Sequence, residues 1–236
     1  MAERPVFLPS FDGAELVTEL FFPLQWHSGF APIQKERNVQ ELHASARSTG
    51  LDPLLEVSSK SEKVSGRHLS AFHLKVRSND FGLIPLECAF QGAKIFERGG
   101  PYRDLFAKDP REAKRDVRLK ESGALTGFEF EGKNFPLEPK TLFYDWLYIN
   151  SVYQHREWLT RLCGYAGFTD IEFNPNRSIN CQARSIALFL SLLKRNLLDE
   201  AVQSPEDFRC ILLKFNYHPD LRQTSNNQKE MFAKHS

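Results

Sequence analysis

One predominantly helical α+β domain, with short N-terminal strands and a small hairpin, is the fold class this sequence predicts. Three observations carry that expectation. Short β-branched and aromatic runs broken by Pro and Gly fill the first third, while apolar residues recur at helical spacing from Ile84 onward. Between two of those helical stretches, GFEFEGKNFPLEP alternates apolar and polar residues as a hairpin does, with Gly132 near its turn.

In chain order, PVFLPSF and ELVTELFFPLQW read as strands. FAPIQKERNVQELHASARSTG has helical spacing, with Ile33, Val39, Leu42 and Ala46 on one face and Gly50 as its stop. LLEVSSKS looks like a strand end, followed by a polar loop through Gly66; HLSAFHLKV is another short strand, closed by the turn SNDFG. Helices are expected over 85–97, 109–121, 141–164 and about 178–203. After Phe215 the sequence turns polar and is expected to fray. This divides the chain into a β-rich extension over 1–66 packed on a core over 67–215, then a tail over 216–236. No repeat or low-complexity linker interrupts it.

Bulk properties exclude several classes. The 236 residues suffice to bury a real core. Lys plus Arg number 31 against 30 Asp plus Glu, so any anionic partner must be held by a local patch. The four cysteines, Cys88, Cys163, Cys181 and Cys210, include no C-x-x-C pair, and the seven histidines show no H-x-x-x-H or H-x-H spacing. Neither a zinc site nor a disulfide framework is supported, and no metal or cofactor is expected. MAERPVFLPSFDG has no apolar stretch after a basic start, so no signal peptide is expected. No run approaches the roughly 20 apolar residues that span a bilayer, and a reducing cytoplasm is the expected compartment. The 20 phenylalanines point to a core, and a pocket, built with aromatic rings.

Candidate chemistry begins at ECAFQGAK. Glu87, Gln91 and Lys94 interrupt a run that is otherwise apolar or small, and on a helix they fall within roughly 60° of one another. One reading is a narrow solvent-facing stripe; the other is a buried helix whose polar line faces a cavity, where Glu and Lys are desolvated together. Gly92 would let a backbone or a ligand come close. On the next helical stretch, begun by an Asp N-cap in DPREAKRDVRLK, Lys114 and Arg118 lie one turn apart and suit a phosphate clamp, against the commoner solvated basic face. Asp170, Glu172, Asn174, Ser178, Asn180 and Gln182 gather where a loop leads into a helix. In FYDWLYINSVYQ, Trp146 and Tyr148 stand beside Asp145 and Asn150, as core rings or as one ring that stacks on a base.

With these segments in order, the sequence resembles the NADAR (YbiA-like) family. The likeness rests on Leu69, Ser70 and Phe72 in HLSAFHLKV, then Glu87, Gln91 and Lys94 in IPLECAFQGAKIF, then EAKRDVR, with FTDIEF matching the late acidic loop. RPVFLPSFDG, FERGGPY, PLEPKTLFYDWLYIN and FTDIEFNPNRSINCQARS look most like the branch found beside DarT toxins, the DarT-associated NADAR antitoxins. Two departures stand out: Ala71 replaces the Asn of the wider family's L-S-N-F, and NPNRSIN stands where its late W-G motif falls.

The resemblance implies an ADP-ribosyl glycohydrolase that takes ADP-ribose off guanine in DNA, opposing a DarT-type toxin. In that reading Glu87 stabilises oxocarbenium character at ribose C1 or acts as general base. Lys94 either forms a transient Schiff base with the opened ribose or acts electrostatically. Gln91 orients one of them, and Lys114 and Arg118 hold the diphosphate. Asp170 or Glu172 meets ribose hydroxyls or the guanine edge, and Ser70, Phe72, Trp146 and Asn180 complete the binding set. The partners implied are ADP-ribosylated DNA as substrate, ADP-ribose as product and the toxin, with no membrane. Two other readings compete: a non-catalytic binder of the toxin or of modified DNA, and an N-glycosidase acting on a small metabolite.

Overall fold

The computed structural model describes residues 2–29 and 31–217. Strands β1 (Ala2–Pro9) and β2 (Val17–Leu24) form an antiparallel hairpin from Ala2↔Leu24 to Pro9↔Val17. Helix α1 (Pro32–Arg47) follows, then β3 (Leu54–Glu56) and a one-turn helix α2 (Val64–His68). A second hairpin joins β4 (Lys75–Ser78) to β5 (Gly82–Pro85), which runs straight into α3 (Leu86–Gly92). Next come β6 (Lys94–Phe96), a 3₁₀ turn over Arg103–Ala107, α4 (Pro110–Lys114), α5 (Arg118–Glu121) and the β7 (Leu125–Phe130)–β8 (Lys133–Phe135) hairpin. The rest is α6 (Leu142–Tyr153), α7 (Arg156–Leu159), a 3₁₀ turn over Thr160–Gly164, β9 (Gly167–Thr169), α8 (Gln182–Lys194), α9 (Leu198–Ala201) and α10 (Pro205–Lys214). Helices and 3₁₀ turns hold 42% of the described residues, so the α+β expectation stands while the helical predominance is partial. No described helix is long and apolar enough to cross a membrane.

The main sheet has the order β2-β1-β9-β3, with β1 and β9 antiparallel and β3 and β9 parallel. β9 therefore threads the C-terminal half between two N-terminal strands. Both faces of β1 are covered, which explains its continuous apolar run. Val6 and Leu8 join Val39, Leu42 and Ala46 of α1 in one buried cluster, whereas Phe7 joins Phe168 and the α8 residues in the larger one.

A phenylalanine cluster lies under the Glu87 helix. Phe143 is 1% exposed, with ring centroids of Phe128 and Phe135 both at 4.7 Å and that of Phe90 at 6.1 Å. Phe143→Ala is expected to cost about 3–5 kcal/mol, because a ring hemmed in by other rings leaves a cavity that cannot collapse. A loss under about 1 kcal/mol in chemical denaturation would show that the cluster does not support the fold.

The GFEFEGKNFPLEP hairpin forms as expected. Phe130 pairs with Lys133 across a two-residue turn, where Glu131 and Gly132 take φ of 52° and 73°. Positive φ at both central positions matches the right-handed twist of the strands. The Glu131 carboxylate accepts from Ser78 Oγ at 2.7 Å and from the Asn79 amide at 2.9 Å, tying this hairpin to the β4–β5 turn.

Several boundaries differ from expectation. The 85–97 helix stops at Gly92, because Lys94 pairs with Phe128 and Ile95 with Gly127, so the last residues join a sheet. The close approach anticipated at Gly92 comes from the protein itself: a Cβ there would lie 2.5 Å from the Phe106 ring. The polar loop through Gly66 contains α2, and most of HLSAFHLKV is a turn in which Ser70 carbonyl accepts from the His73 and Leu74 amides; only Lys75 onward is strand. The 109–121 stretch breaks into α4 and α5, with Asp116 accepting from the Arg118 amide at the restart. The 141–164 helix gives way after Tyr153 to α7 and a 3₁₀ turn. The last expected helix starts at Gln182 and splits at Asn196, whose φ is 58°.

Ile33 is exposed, and its expected place inside is taken by Asn38, whose amide pairs with both the His27 N–H at 2.8 Å and carbonyl at 3.0 Å. Helix α10 was not anticipated, although Ser204 accepting from the Asp207 amide at 3.1 Å and Pro205 after it are sequence-legible start signals. Of the stretch expected to fray, 218–236 lies outside the described residues, whereas Tyr217 is buried and hydrogen-bonds Asp145.

Candidate active site

Pro85 opens α3 and places Glu87 in its first turn, where the exposed peptide N–H groups favour a negative charge. The helix is buried on every side, and Glu87 and Gln91 are each 6% exposed. Helical spacing brings Gln91 Nε2 to 2.8 Å from Glu87 Oε1, to which it donates. Lys94 is past the helix end, yet the turn into β6 swings its ammonium back to donate to Gln91 Oε1 at 2.6 Å. The glutamine amide thus links carboxylate and amine without letting them touch. From α4, Lys114 Nζ approaches Glu87 Oε1 to 3.8 Å from the solvent side.

The electrostatics of Lys94 follow from this placement. Burial lowers its pKa to about 8, and the Lys114 charge adds to that while Glu87 opposes it. Its ammonium lies 4.9 Å from the centroid of the Phe90 ring. Phe72, which is 42% exposed, stands at the rim with the Lys114 amine 6.0 Å from its ring centroid. Ser70 is wholly buried in the same turn.

The late loop reaches the 69–74 turn through Gln182. Asp170 is buried, and loss of solvent together with the nearby Glu56 raises its pKa well above the usual carboxylate range. It hydrogen-bonds the Gln182 side chain, and Gln182 Oε1 in turn accepts from the Ala71 amide at 2.8 Å. A backbone N–H at position 71 therefore makes the link between turn and loop, whatever side chain stands there. Glu172 points elsewhere, 3.9 Å from Lys35 of α1. Asn180 Oδ1 is buried and has no hydrogen-bond partner among the described residues.

Two residues expected at the site are otherwise engaged. Arg118 makes bonds of 2.6 Å to Asp104 and 2.8 Å to Asp116, so its charge is already matched and it is not one helical turn from Lys114. Trp146 is turned into the phenylalanine cluster, 5.1 Å from the Phe135 ring, about 200° around α6 from Tyr144.

Three residues that the sequence does not single out support the candidate site. Tyr144 is buried edge-on to Phe90 at 5.3 Å, and burial together with the Glu87 charge pushes its hydroxyl well above the ordinary phenol range. Gln182 is, in the sequence, one polar residue among several in its loop. Arg184, fully buried, holds that loop by donating to Ile179 carbonyl at 2.5 Å and pairing with Glu19 at 2.6 Å. Nothing local in FYDWL or NCQARS marks them, since each is defined by contacts distant in sequence.

This polar line within an aromatic shell is accompanied by a match over nearly the whole chain. The family model described as the DarT1-associated NADAR antitoxin matches residues 2–221. The chain belongs to that family. A DarT toxin is thereby the implied partner of this NADAR protein, and NADAR proteins are in general N-glycosidase-like hydrolases. No curated protein matches the sequence.

Proposed function

We propose that this NADAR protein is a hydrolase that removes ADP-ribose from guanine bases in DNA, reversing the modification made by a DarT-type ADP-ribosyltransferase in the cytoplasm. The observation that carries the reading is the buried line Lys94–Gln91–Glu87 with Lys114 at its mouth. Breaking the bond between ribose C1 and the base nitrogen leaves positive character on C1, and a carboxylate fixed beside it lowers that barrier. Glu87 supplies the carboxylate, either directly or by taking a proton from the attacking water. Water oxygen ends on C1, and the departing guanine nitrogen takes up a proton. Gln91 holds Glu87 and Lys94 in register.

Lys114 has a half-exposed amine at the entrance and is assigned to the diphosphate, where its positive charge offsets the repulsion between phosphate and Glu87. Ser70, Phe72, Asp170 and Asn180 are assigned to the ribose and base. Lys114→Ala is expected to weaken ADP-ribose binding by about 1–3 kcal/mol in calorimetry, the worth of a charge-assisted contact. Arg118→Ala is expected to act less, because Asp104 and Asp116 already neutralise that guanidinium. Equal affinity of the Lys114 variant and the parent would remove the residue from the site.

The deciding experiment incubates the protein with a guanine-ADP-ribosylated oligonucleotide and follows free ADP-ribose. Release with regeneration of unmodified guanine supports the hydrolase. Tight binding without release would instead make the protein a reader of modified DNA, and release only from small nucleosides would make it a metabolite N-glycosidase.

A further inference from the structure

The turn over 69–74 has two sides. On one, Phe72 meets Lys114 at the mouth of the Glu87 site. Beyond the other lies a groove of about 520 Å³, rimmed by His68, His73, Lys75, Leu83, His155 and Trp158 over an apolar floor. Trp158 and Leu83 are 45% and 60% exposed, an unusual outlay of apolar surface unless something covers it. Lys75 brings a positive charge to the rim, and Arg77 lies on the same exposed face of β4 two residues on. An exposed indole, imidazoles and these cations combine stacking faces with phosphate attraction, the chemistry that holds single-stranded nucleic acid.

Helix α6 measures the distance between groove and site. Tyr144 stands beside Phe90 near Glu87, and Val152 lines the groove eight residues later, about 12 Å along the helix axis. Three or four stacked nucleotides at about 3.4 Å each bridge that gap.

We infer that this groove holds single-stranded DNA flanking the modified guanine, with a base on Trp158 and phosphates near Lys75 and the histidines. This rests on the reading of the Glu87 site as acting on DNA. The groove then sets affinity for the polynucleotide, while the Glu87 site alone contacts ADP-ribose.

The test uses an unmodified fluorescein-labelled single-stranded oligonucleotide and fluorescence anisotropy, with the single variants Trp158→Ala and Lys75→Glu and their combination. These side chains are exposed, so the variants are expected to melt with the parent. The expected result is at least a tenfold loss of oligonucleotide affinity in the double variant, a matching rise in KM on the ADP-ribosylated oligonucleotide, and unchanged kcat and ADP-ribose affinity. Unchanged oligonucleotide affinity in all three variants overturns the inference, and so does loss of toxin binding with DNA binding intact. If the parent binds the oligonucleotide through this groove yet releases no ADP-ribose from any substrate, the groove stands and the hydrolase reading falls.

Discussion

Replacing Glu87 by glutamine is expected to lower kcat by about 10²–10⁴-fold, the usual share of a positioned acid–base or charge-stabilising group. The substitution keeps the size of the side chain, and its amide oxygen still accepts from Gln91 Nε2, now at 2.8 Å from the carboxylate. The buried helix is thus preserved and only the charge is removed. Binding of ADP-ribose is expected to stay within about tenfold, with removal of a negative group near a diphosphate pushing toward tighter binding. A fall in kcat and kcat/KM together, with binding retained, marks an interaction made in the transition state. Retention of most of the parent rate would sink the catalytic assignment.

Lys94 carries the second large effect, and its pKa of about 8 makes pH the discriminating variable. If the amine attacks ribose C1, it must be neutral, so kcat/KM is expected to climb through pH 8 and level off above it. If the ammonium acts only by its charge, the rate is expected to fall over the same range. Borohydride added during turnover separates the two chemically. An ADP-ribose adduct on the peptide containing Lys94, absent without substrate, supports the covalent route. Its absence under proven turnover, with a Lys94→Arg variant that keeps substantial activity, rules that route out. We favour the covalent route, because an amine beside Phe90 in a nearly apolar shell is costly to keep charged.

The same shift has a consequence for stability. The unfolded amine titrates near 10.5 and the folded one near 8, so below pH 8 the folded protein carries a charge it binds poorly. That cost fades as pH rises from 8 toward 10.5. Lys94→Met is accordingly expected to raise Tm at pH 7 and to bring a smaller gain at pH 10, while abolishing turnover. A lower Tm at both pH values would mean that the hydrogen bond to Gln91 outweighs the burial of charge.

Short-range chemistry was legible in the sequence. The Glu131-Gly132 turn, the Asp109 cap that accepts from the Arg111 amide at 2.8 Å, and the Glu87–Gln91 pair one helical turn apart all depend on neighbours within four residues. So did the general expectation of an aromatic core, since a chain with 20 phenylalanines has to bury most of them. The helix ends were harder, because strand pairing outside the helix decides them. Periodicity continues past Gly92, but the β6–β7 hydrogen bonds hold Lys94 and Ile95 in extended form.

What the tertiary structure alone decided is which polar groups meet. Lys94 reaches Gln91 because the chain reverses into a sheet, not because a helix repeats. Gln182 meets Ala71 across 111 residues, and Arg184 meets Glu19 across 165. Arg118 is drawn to Asp104 and Asp116, and Trp146 to Phe135. Residue types and local spacing determine which chemistry is available, since they set charge, hydrogen-bonding capacity and the faces of each element. Where those groups converge depends on packing between elements far apart in the chain, and buried polar groups then take whichever partner that packing brings within reach.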